Sequence, residues 1–248
     1  MDELPVPGYI VPQWPAPQQV HALVTLRTGG YSKAPYASFN LADHTDDDPQ
    51  AVSRNRRLLH EYFNLPAEPA WLQQVHSNHV IRVEQGTDAA EADGSWSATA
   101  GVVCVVLTAD CLPVLICNRE GSRVAAAHAG WRGLHAGVIS NAVAALDTDP
   151  TELMVWLGPA IGPQAFEVGA EVVHAFSDMP GNASAFRQTD ARHWLCDLYR
   201  LARLQLERLG IPAVYGGNEC TFTDKQKFFS YRRDGETGRM ASLIWLQP

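Results

Sequence analysis

The sequence predicts a single α/β domain that spans residues 1–248. Short runs of apolar, β-branched residues are typical of buried strands, and they alternate with stretches whose apolar residues recur at helical spacing. No repeat and no linker-like composition divides the chain. Hydrophobic residues make up 46% and charged residues 19%, a balance that excludes a disordered chain and allows a large core.

The N-terminal part of the chain contains one clear helix pattern. Asp48 is a typical N-cap, Pro49 suits the first helical position, and the chain should stay helical to about Phe63. The other predicted segments before residue 102 are an irregular segment over 1–19, a strand over 21–26, one or two strands over 71–83 and a loop over 86–100.

The C-terminal part alternates strands and helices. Apolar residues share one face of a helix predicted over 194–209, which Gly210 and Pro212 end. A second helix is predicted over 134–146, where apolar residues recur at every fourth position. The remaining predictions are a short helix over 171–176 and strands over 102–108, 112–117, 123–127, 153–157, 213–215, 228–231 and 241–246.

Charge and cysteine content narrow the class of protein. The net charge is −8 and there is no long basic run, so no nucleic-acid partner is expected. No uncharged apolar run reaches membrane-spanning length, and the N-terminus lacks the pattern of a signal peptide. Five cysteines without repeated spacing argue against a disulfide framework. These features predict a cytoplasmic protein, expected to be a monomer or a weak homo-oligomer, with no membrane partner.

Three residues are candidate metal ligands. His76 lies in LQQVHSNHV, Cys111 in LTADCLPVLI and His128 in AAAHAGWRG, and the last two lie where an apolar strand gives way to a turn. Two imidazoles and one thiolate suit zinc, and three protein ligands leave a fourth position for water or substrate. Copper accepts the same donors. The alternative is that each residue merely packs on its strand, since the spacings match no local zinc motif.

Four blocks of sequence resemble one known family. The segments ADCLPVLI, AAAHAGWRG, WLGPAIGPQAFEVG and FFSYRRDGETGRMASLIWL occur in this order and resemble the YfiH family, also described as laccase-domain or multicopper polyphenol oxidoreductases. The resemblance runs from about residue 20 to the end of the chain. It implies a layered α-β-β-α sandwich of YfiH type, related to a cysteine-hydrolase fold. It also implies a zinc ion bound by His76, Cys111 and His128.

The resemblance also implies an activity on small molecules. The expected reactions are phosphorolysis of purine nucleosides (inosine, guanosine, adenosine and methylthioadenosine) and deamination of adenosine. Three alternatives stay open: a cytoplasmic hydrolase that edits a peptidoglycan precursor, a copper-dependent polyphenol oxidase, and a non-catalytic protein that a metal stabilises. The nine histidines form no His-x-His pair, which argues against the metal relay of a true laccase.

Phosphorolysis needs an anion site, and arginine suits phosphate because its planar guanidinium binds two oxygens at once. Two clusters offer arginines: Arg56, with Asn40 in the preceding loop, and Arg232 with Arg233 near the C-terminus. The alternative is that these arginines only balance nearby acidic residues at the surface.

Other polar and aromatic residues lie close to the candidate ligands in sequence. Trp131 and Arg132 follow His128 and have flat faces that could stack on a purine, although Trp131 could equally fill the core. Glu167 is a candidate base or substrate anchor, or else a structural hydrogen-bond acceptor. Asp93 and Asp110 could each orient a metal ligand, or simply stabilise a turn.

Overall fold

The structure is a computed structural model that describes residues 5–87 and 90–248. The helices of this part are α1 (Pro49–Tyr62), α2 (Trp131–Ala136), α3 (Val138–Ala145), α4 (Ala170–Ala175), α5 (Leu198–Arg208) and α6 (Tyr231–Asp234). The strands are β1 (Tyr9–Ile10), β2 (Val20–Thr25), β3 (Val80–Arg82), β4 (Gly94–Ser97), β5 (Val103–Thr108), β6 (Leu112–Asn118), β7 (Val124–Ala129), β8 (Leu153–Leu157), β9 (Glu167–Val168), β10 (Phe186–Gln188), β11 (Trp194–Cys196), β12 (Ala213–Gly216) and β13 (Met240–Leu246).

Two sheets pack face to face between helices, which confirms the predicted α-β-β-α sandwich. The first sheet is antiparallel, with strand order β1-β2-β13-β5. The second has the order β12-β8-β6-β7-β4-β3, and its parallel pairs lie only at its two edges. A small third sheet has the order β10-β11-β9, and Val168 and Cys196 of this sheet pack into the core beneath α5.

Apolar side chains fill the three interfaces between these layers. Val106 and Ile244 of the first sheet pack against Leu115 and Met154 of the second. Helix α1 covers the outer face of the first sheet, while α2, α3 and α5 cover the outer face of the second. Strands β5, β6 and β7 are buried on both faces, which explains why they read in the sequence as unbroken apolar runs.

Two predicted helices differ from the structure. The helix predicted over 134–146 is divided into α2 and α3 at Gly137, whose φ of 94° lies in the left-handed region. The helix predicted over 194–209 begins only at Leu198. Residues 194–196 form β11, and the Asp197 side chain caps α5 by accepting a hydrogen bond from the Arg200 backbone N–H.

Other corrections concern strands. Residues 228–231 form no strand, because Ser230 caps α6 through its side chain. Strand β4 lies inside the loop predicted over 86–100, β1 inside the irregular segment predicted over 1–19, and only 80–82 of the segment 71–83 is a strand. The parts of these predictions that fall on residues 1–4 and 88–89 lie outside the described residues.

Among the helices that the structure describes, none combines the length and the apolar character needed to cross a bilayer. The single domain, the cytoplasmic location and the oligomeric state stay predictions.

Candidate metal centre

The three candidate ligands come together at one edge of the sandwich. Cys111 lies in the turn between β5 and β6, and His128 is the second-last residue of β7. Because β6 pairs with β7 so that Leu112 lies opposite Ala129, the register alone brings Cys111 close to His128. His76 reaches them from the loop between α1 and β3.

The geometry of the three side chains fits one metal ion. One ligand atom from each lies within 4.8 Å of the others, and the Cys111 Sγ and His76 Nε2 atoms are 3.8 Å apart. The ring centroids of His76 and His128 are 4.8 Å apart. A thiolate and two imidazoles are a donor set that zinc and copper both accept, so the triad could bind a metal while its ligand types leave the identity of the ion open.

The charges of the triad also favour a cation. Burial raises the pKa of the Cys111 thiol, but the His128 and His76 imidazoles more than offset this and lower it to about 6. Burial lowers the pKa of His128, whereas the Cys111 sulfur and the Asp93 carboxylate raise it to about 9. The site therefore stabilises a thiolate beside a positive charge, and a bound metal cation would replace the imidazolium proton in that role.

Asp93 connects two of the three ligands. Its buried carboxylate accepts hydrogen bonds from the His128 Nδ1 (2.8 Å) and from the backbone N–H groups of Val75 (3.2 Å), His76 (3.0 Å) and Ser77 (2.6 Å). It therefore fixes the ring of His128 and the loop of His76 at once. With Nδ1 of His128 bonded to Asp93, Nε2 is left for a metal. This arrangement matches the sequence-based suggestion that Asp93 orients a ligand.

Asp110 fixes the turn that carries Cys111. Its φ of 86° is unusual for a residue other than glycine, and its side chain is held by several donors. The carboxylate accepts hydrogen bonds from the hydroxyls of Thr221 (2.6 Å) and Ser230 (3.1 Å) and from the Arg232 backbone N–H (2.7 Å). Asp110 thus ties the metal-ligand turn to the start of α6, and does not contact a ligand imidazole.

Gly130 allows the backbone after β7 to pass directly beside the ligands. A Cβ atom at this position would lie 2.8 Å from the Cys111 Sγ and 3.0 Å from the His76 Cδ2. These distances are too short for any side chain, so the glycine is a requirement of the site itself.

The triad opens into a cavity of about 400 Å³. Its wall contains, besides the three ligands, His44, Gln74, Leu107, Thr108, Ala109, Tyr231 and Arg239. Within the described part of the chain, no aspartate or glutamate lines this cavity, although the protein has 27 acidic residues. The wall is therefore neutral to basic in an acidic protein.

None of the other predicted binding residues lines this cavity. Arg233 uses all its guanidinium N–H groups on the carbonyls of Thr221, Phe222 and Phe228 and on the Asp234 carboxylate. Arg232 is exposed and donates to the Glu167 carbonyl at 2.7 Å. The Glu167 side chain is itself exposed on β9 and lies outside the cavity wall. These three residues therefore lie outside the metal cavity, and their part in substrate binding stays a prediction.

The N-terminal cluster also lies outside the metal cavity. Arg56 donates to the Leu41 carbonyl at 2.9 Å, pairs with Asp43 at 3.2 Å and lies 4.1 Å from the Trp71 ring centroid. It lines a separate cleft of about 510 Å³ on α1. Asn40 is fully buried, and its side-chain oxygen accepts a hydrogen bond from the Arg239 backbone N–H at 2.9 Å. Neither residue reaches the metal cavity.

Trp131 and Arg132 also lie away from the cavity. The Trp131 ring packs against the core on the outer face of the second sheet, and the Arg132 guanidinium lies 4.3 Å from its centroid. The position of Trp131 agrees with the alternative that it fills the core, and the stacking of this pair on a purine stays a prediction.

Sequence reasoning missed Arg239, Thr108, Tyr231 and His44 as residues of the cavity wall. Arg239 and Tyr231 lie in the C-terminal block FFSYRRDGETGRMASLIWL, which carries the family resemblance. In that block the adjacent Arg232 and Arg233 form the denser positive cluster and therefore gave the stronger sequence signal. Burial and the neighbouring Arg239 lower the pKa of His44, and Asp43 opposes them.

Comparison with known proteins places the chain among well-defined relatives. Residues 21–247 match the family model described as multi-copper polyphenol oxidoreductase laccase. A Pseudomonas aeruginosa protein named purine nucleoside phosphorylase is 53% identical over 97% of this chain and 99% of its own. The Escherichia coli purine nucleoside phosphorylase YfiH is 51% identical over 96% of this chain and 98% of its own. A crystal structure of a Neisseria meningitidis protein aligns with a TM-score of 0.94 at 50% identity, covering 97% of this chain and all of that one. The chain therefore belongs to the YfiH family, the family of the multi-copper polyphenol oxidoreductase laccase model.

Proposed function

We propose that this protein is a zinc-dependent purine nucleoside phosphorylase that acts on inosine, guanosine, adenosine and methylthioadenosine. The names of the relatives at about 50% identity support this activity. The observation that carries the proposal is the wall of the metal cavity. Three metal ligands and the Arg239 guanidinium share a space without a carboxylate among the described residues, and such a wall attracts a phosphate anion to the metal.

Phosphorolysis exchanges one bond at the sugar. A phosphate oxygen forms a bond to C1′ while the C1′–N9 bond breaks. The electron pair of the broken bond leaves with the purine, and the proton of hydrogen phosphate is transferred to that purine. In this proposal His76, Cys111 and His128 hold the zinc ion. When bound, zinc supplies a fixed positive charge that polarises an oxygen of the substrate or of water. Arg239 and the cavity wall hold phosphate in line with the sugar.

Tyr231 provides a surface for the purine in this proposal. It is 61% exposed and lines the metal cavity at the start of α6. Asp110 fixes that helix start relative to Cys111, so the backbone that carries the Tyr231 ring is held in place beside the metal ligands. Aromatic rings stack on nucleic-acid bases with a gain of about 1–3 kcal/mol per base.

We further propose that the same centre deaminates adenosine as a side activity, and that the protein works in the cytoplasm, where nucleosides and phosphate are available. Copper-dependent phenol oxidation, which the family description suggests, is the less favoured function. A multi-copper relay needs several ligand groups, and across residues 5–87 and 90–248 only the His76, Cys111 and His128 set has the required proximity.

The test is a product assay with inosine and inorganic phosphate. Protein purified without added metal is first analysed for zinc and copper. It is then loaded with zinc and incubated with both substrates, and we expect hypoxanthine and ribose 1-phosphate as products. Cys111→Ser should abolish the reaction. Cys220→Ser, which makes the same change at a partly buried cysteine outside the cavity, should not. Absence of both products with zinc and with other divalent ions would refute the proposal.

A further inference from the structure

Arg239 is a charged residue in the metal cavity whose guanidinium is only half used. Its Nη1 donates to the carbonyls of Thr237 (2.7 Å) and Gly238 (3.1 Å). Among the described residues, its Nε and Nη2 have no hydrogen-bond acceptor, and no carboxylate lies within salt-bridge distance. Burial lowers the pKa of Arg239, whereas the negative charges of Cys111 and Asp110 act to raise it. A partly desolvated cation that no carboxylate contacts directly is costly, and a bound anion would reduce that cost.

Thr108 is a second unsatisfied group on the same wall. Its side chain is 2% exposed, and its hydroxyl has no hydrogen-bond partner in the part of the chain that the structure describes. Strands β5 and β13 pair with Thr108 opposite Met240, so Thr108 and Arg239 lie at the same end of adjacent strands. Both residues line the metal cavity. A buried hydroxyl without a partner is rare and calls for an explanation, and for a residue that lines a cavity a ligand oxygen would supply the missing partner.

The backbone around both residues is held firmly. The Asn40 side chain accepts a hydrogen bond from the Arg239 backbone N–H, and the Leu41 N–H donates to the Arg239 carbonyl. The Gln74 side chain makes two hydrogen bonds to the backbone of Leu107, the residue before Thr108. The unused donors are therefore fixed before any ligand arrives, which lowers the entropy cost of binding.

We propose that Arg239 and Thr108 form the phosphate subsite of the metal cavity. The Nε–H and Nη2–H groups share one edge of the guanidinium and donate to two phosphate oxygens, and the Thr108 hydroxyl donates to a third. This inference rests on the proposed function, because phosphorolysis makes phosphate the anion. Arg239 takes the phosphate-binding role that the sequence suggested for Arg56, Arg232 and Arg233, because the guanidinium groups of those three contact the protein outside this cavity.

The test measures phosphate binding separately from turnover. Isothermal titration calorimetry of the zinc-loaded full chain gives the Kd of inorganic phosphate, and kinetics with inosine give the KM of each substrate. We expect Arg239→Gln to weaken phosphate binding about 10- to 100-fold, Arg239→Lys to weaken it less, and Thr108→Val to weaken it about 2- to 10-fold. The KM of phosphate should rise with the Kd, while the KM of inosine stays near the wild-type value.

Two variants serve as matched controls. Arg208→Gln removes an exposed arginine of α5 whose side chain makes no hydrogen bond to any described residue. Ser242→Ala removes another buried hydroxyl that has no partner within residues 5–87 and 90–248. Both should leave phosphate binding unchanged. If Arg239→Gln does not fold, Thr108→Val still tests the subsite, because it changes one oxygen for one methyl group.

The outcomes separate the two proposals. Unchanged phosphate affinity in both Arg239→Lys and Thr108→Val would overturn the subsite even if the wild type is a phosphorylase. Phosphate binding that these variants weaken, in a wild type that does not turn over nucleosides, would establish the anion subsite and refute the proposed function.

Discussion

Replacing Asp93 by asparagine should weaken the metal centre without removing a ligand. The Asp93 Oδ1 accepts from the His128 Nδ1 and the His76 backbone N–H, and Oδ2 accepts from the Ser77 N–H and hydroxyl and from the Val75 N–H. An amide keeps only one oxygen. If that oxygen takes the Oδ2 position, the new NH₂ group faces two donors.

The size of the effect follows from these contacts. Each lost hydrogen bond to the carboxylate costs about 1.5–3 kcal/mol, so two give an upper bound of about 3–6 kcal/mol. A neutral amide costs less to bury than a charged carboxylate, which offsets part of this loss. We therefore expect the free energy of unfolding to fall by about 3 kcal/mol. His128 would also have to accept at Nδ1, which places its proton on the Nε2 that a metal needs. Zinc affinity should therefore fall about 10- to 100-fold.

Competition with a coloured chelator measures the zinc affinity, and urea unfolding of the metal-free protein measures stability. Asp46→Asn is the matched control, because Asp46 is exposed and makes no side-chain hydrogen bond in the structure. Wild-type zinc affinity in Asp93→Asn would refute the idea that this carboxylate orients the ligands.

Four further results are expected. Cys111→Ala should lose zinc while the metal-free protein stays folded, as elemental analysis and circular dichroism would show. Gly130→Ala should lower zinc affinity by displacing Cys111 and His76, and chelator competition would detect this. Tyr231→Ala should raise the KM of inosine about tenfold without changing the Kd of phosphate, and Tyr231→Phe should restore it. Burial raises the pKa of Asp93, but its hydrogen bonds to His128 and Ser77 outweigh this and lower the pKa to about 2. As the pH falls from about 4 to 2, the free energy of unfolding of the metal-free protein should therefore fall by about 2 kcal/mol. A pH series of urea unfolding measures this loss, which should be absent in Asp93→Asn.

Apolar patterns predicted most of the buried strands and helices but not the breaks within them, while the sandwich itself was implied by the family resemblance. The apolar runs at 103–108, 112–118 and 153–157 are buried on both faces and could be read directly. The break at Gly137 and the helix start at Asp197 carry ordinary signals, a glycine and an N-cap, which helical periodicity on both sides concealed. Local signals that interrupt a strong pattern deserve the greater weight in such segments.

The metal ligands could be predicted and the phosphate subsite could not, for a physical reason. Ligand chemistry is a property of the side chain, so His76, Cys111 and His128 were candidates by type, and the family resemblance singled them out as one set. Whether an arginine is available to a ligand depends on its neighbours. Arg233 is saturated by carbonyls and a carboxylate, whereas Arg239 has an unused edge, and both read alike in the sequence.

The position of β13 sets the order of assembly. This strand lies between β2 and β5, two strands that precede it by a long stretch of chain. During synthesis, the first sheet cannot close until residues 240–246 have emerged, although all three metal ligands are already available. An unfinished chain could therefore bind a metal cation before the wall that carries Arg239 exists. Such long-range pairing also makes slow folding the expectation.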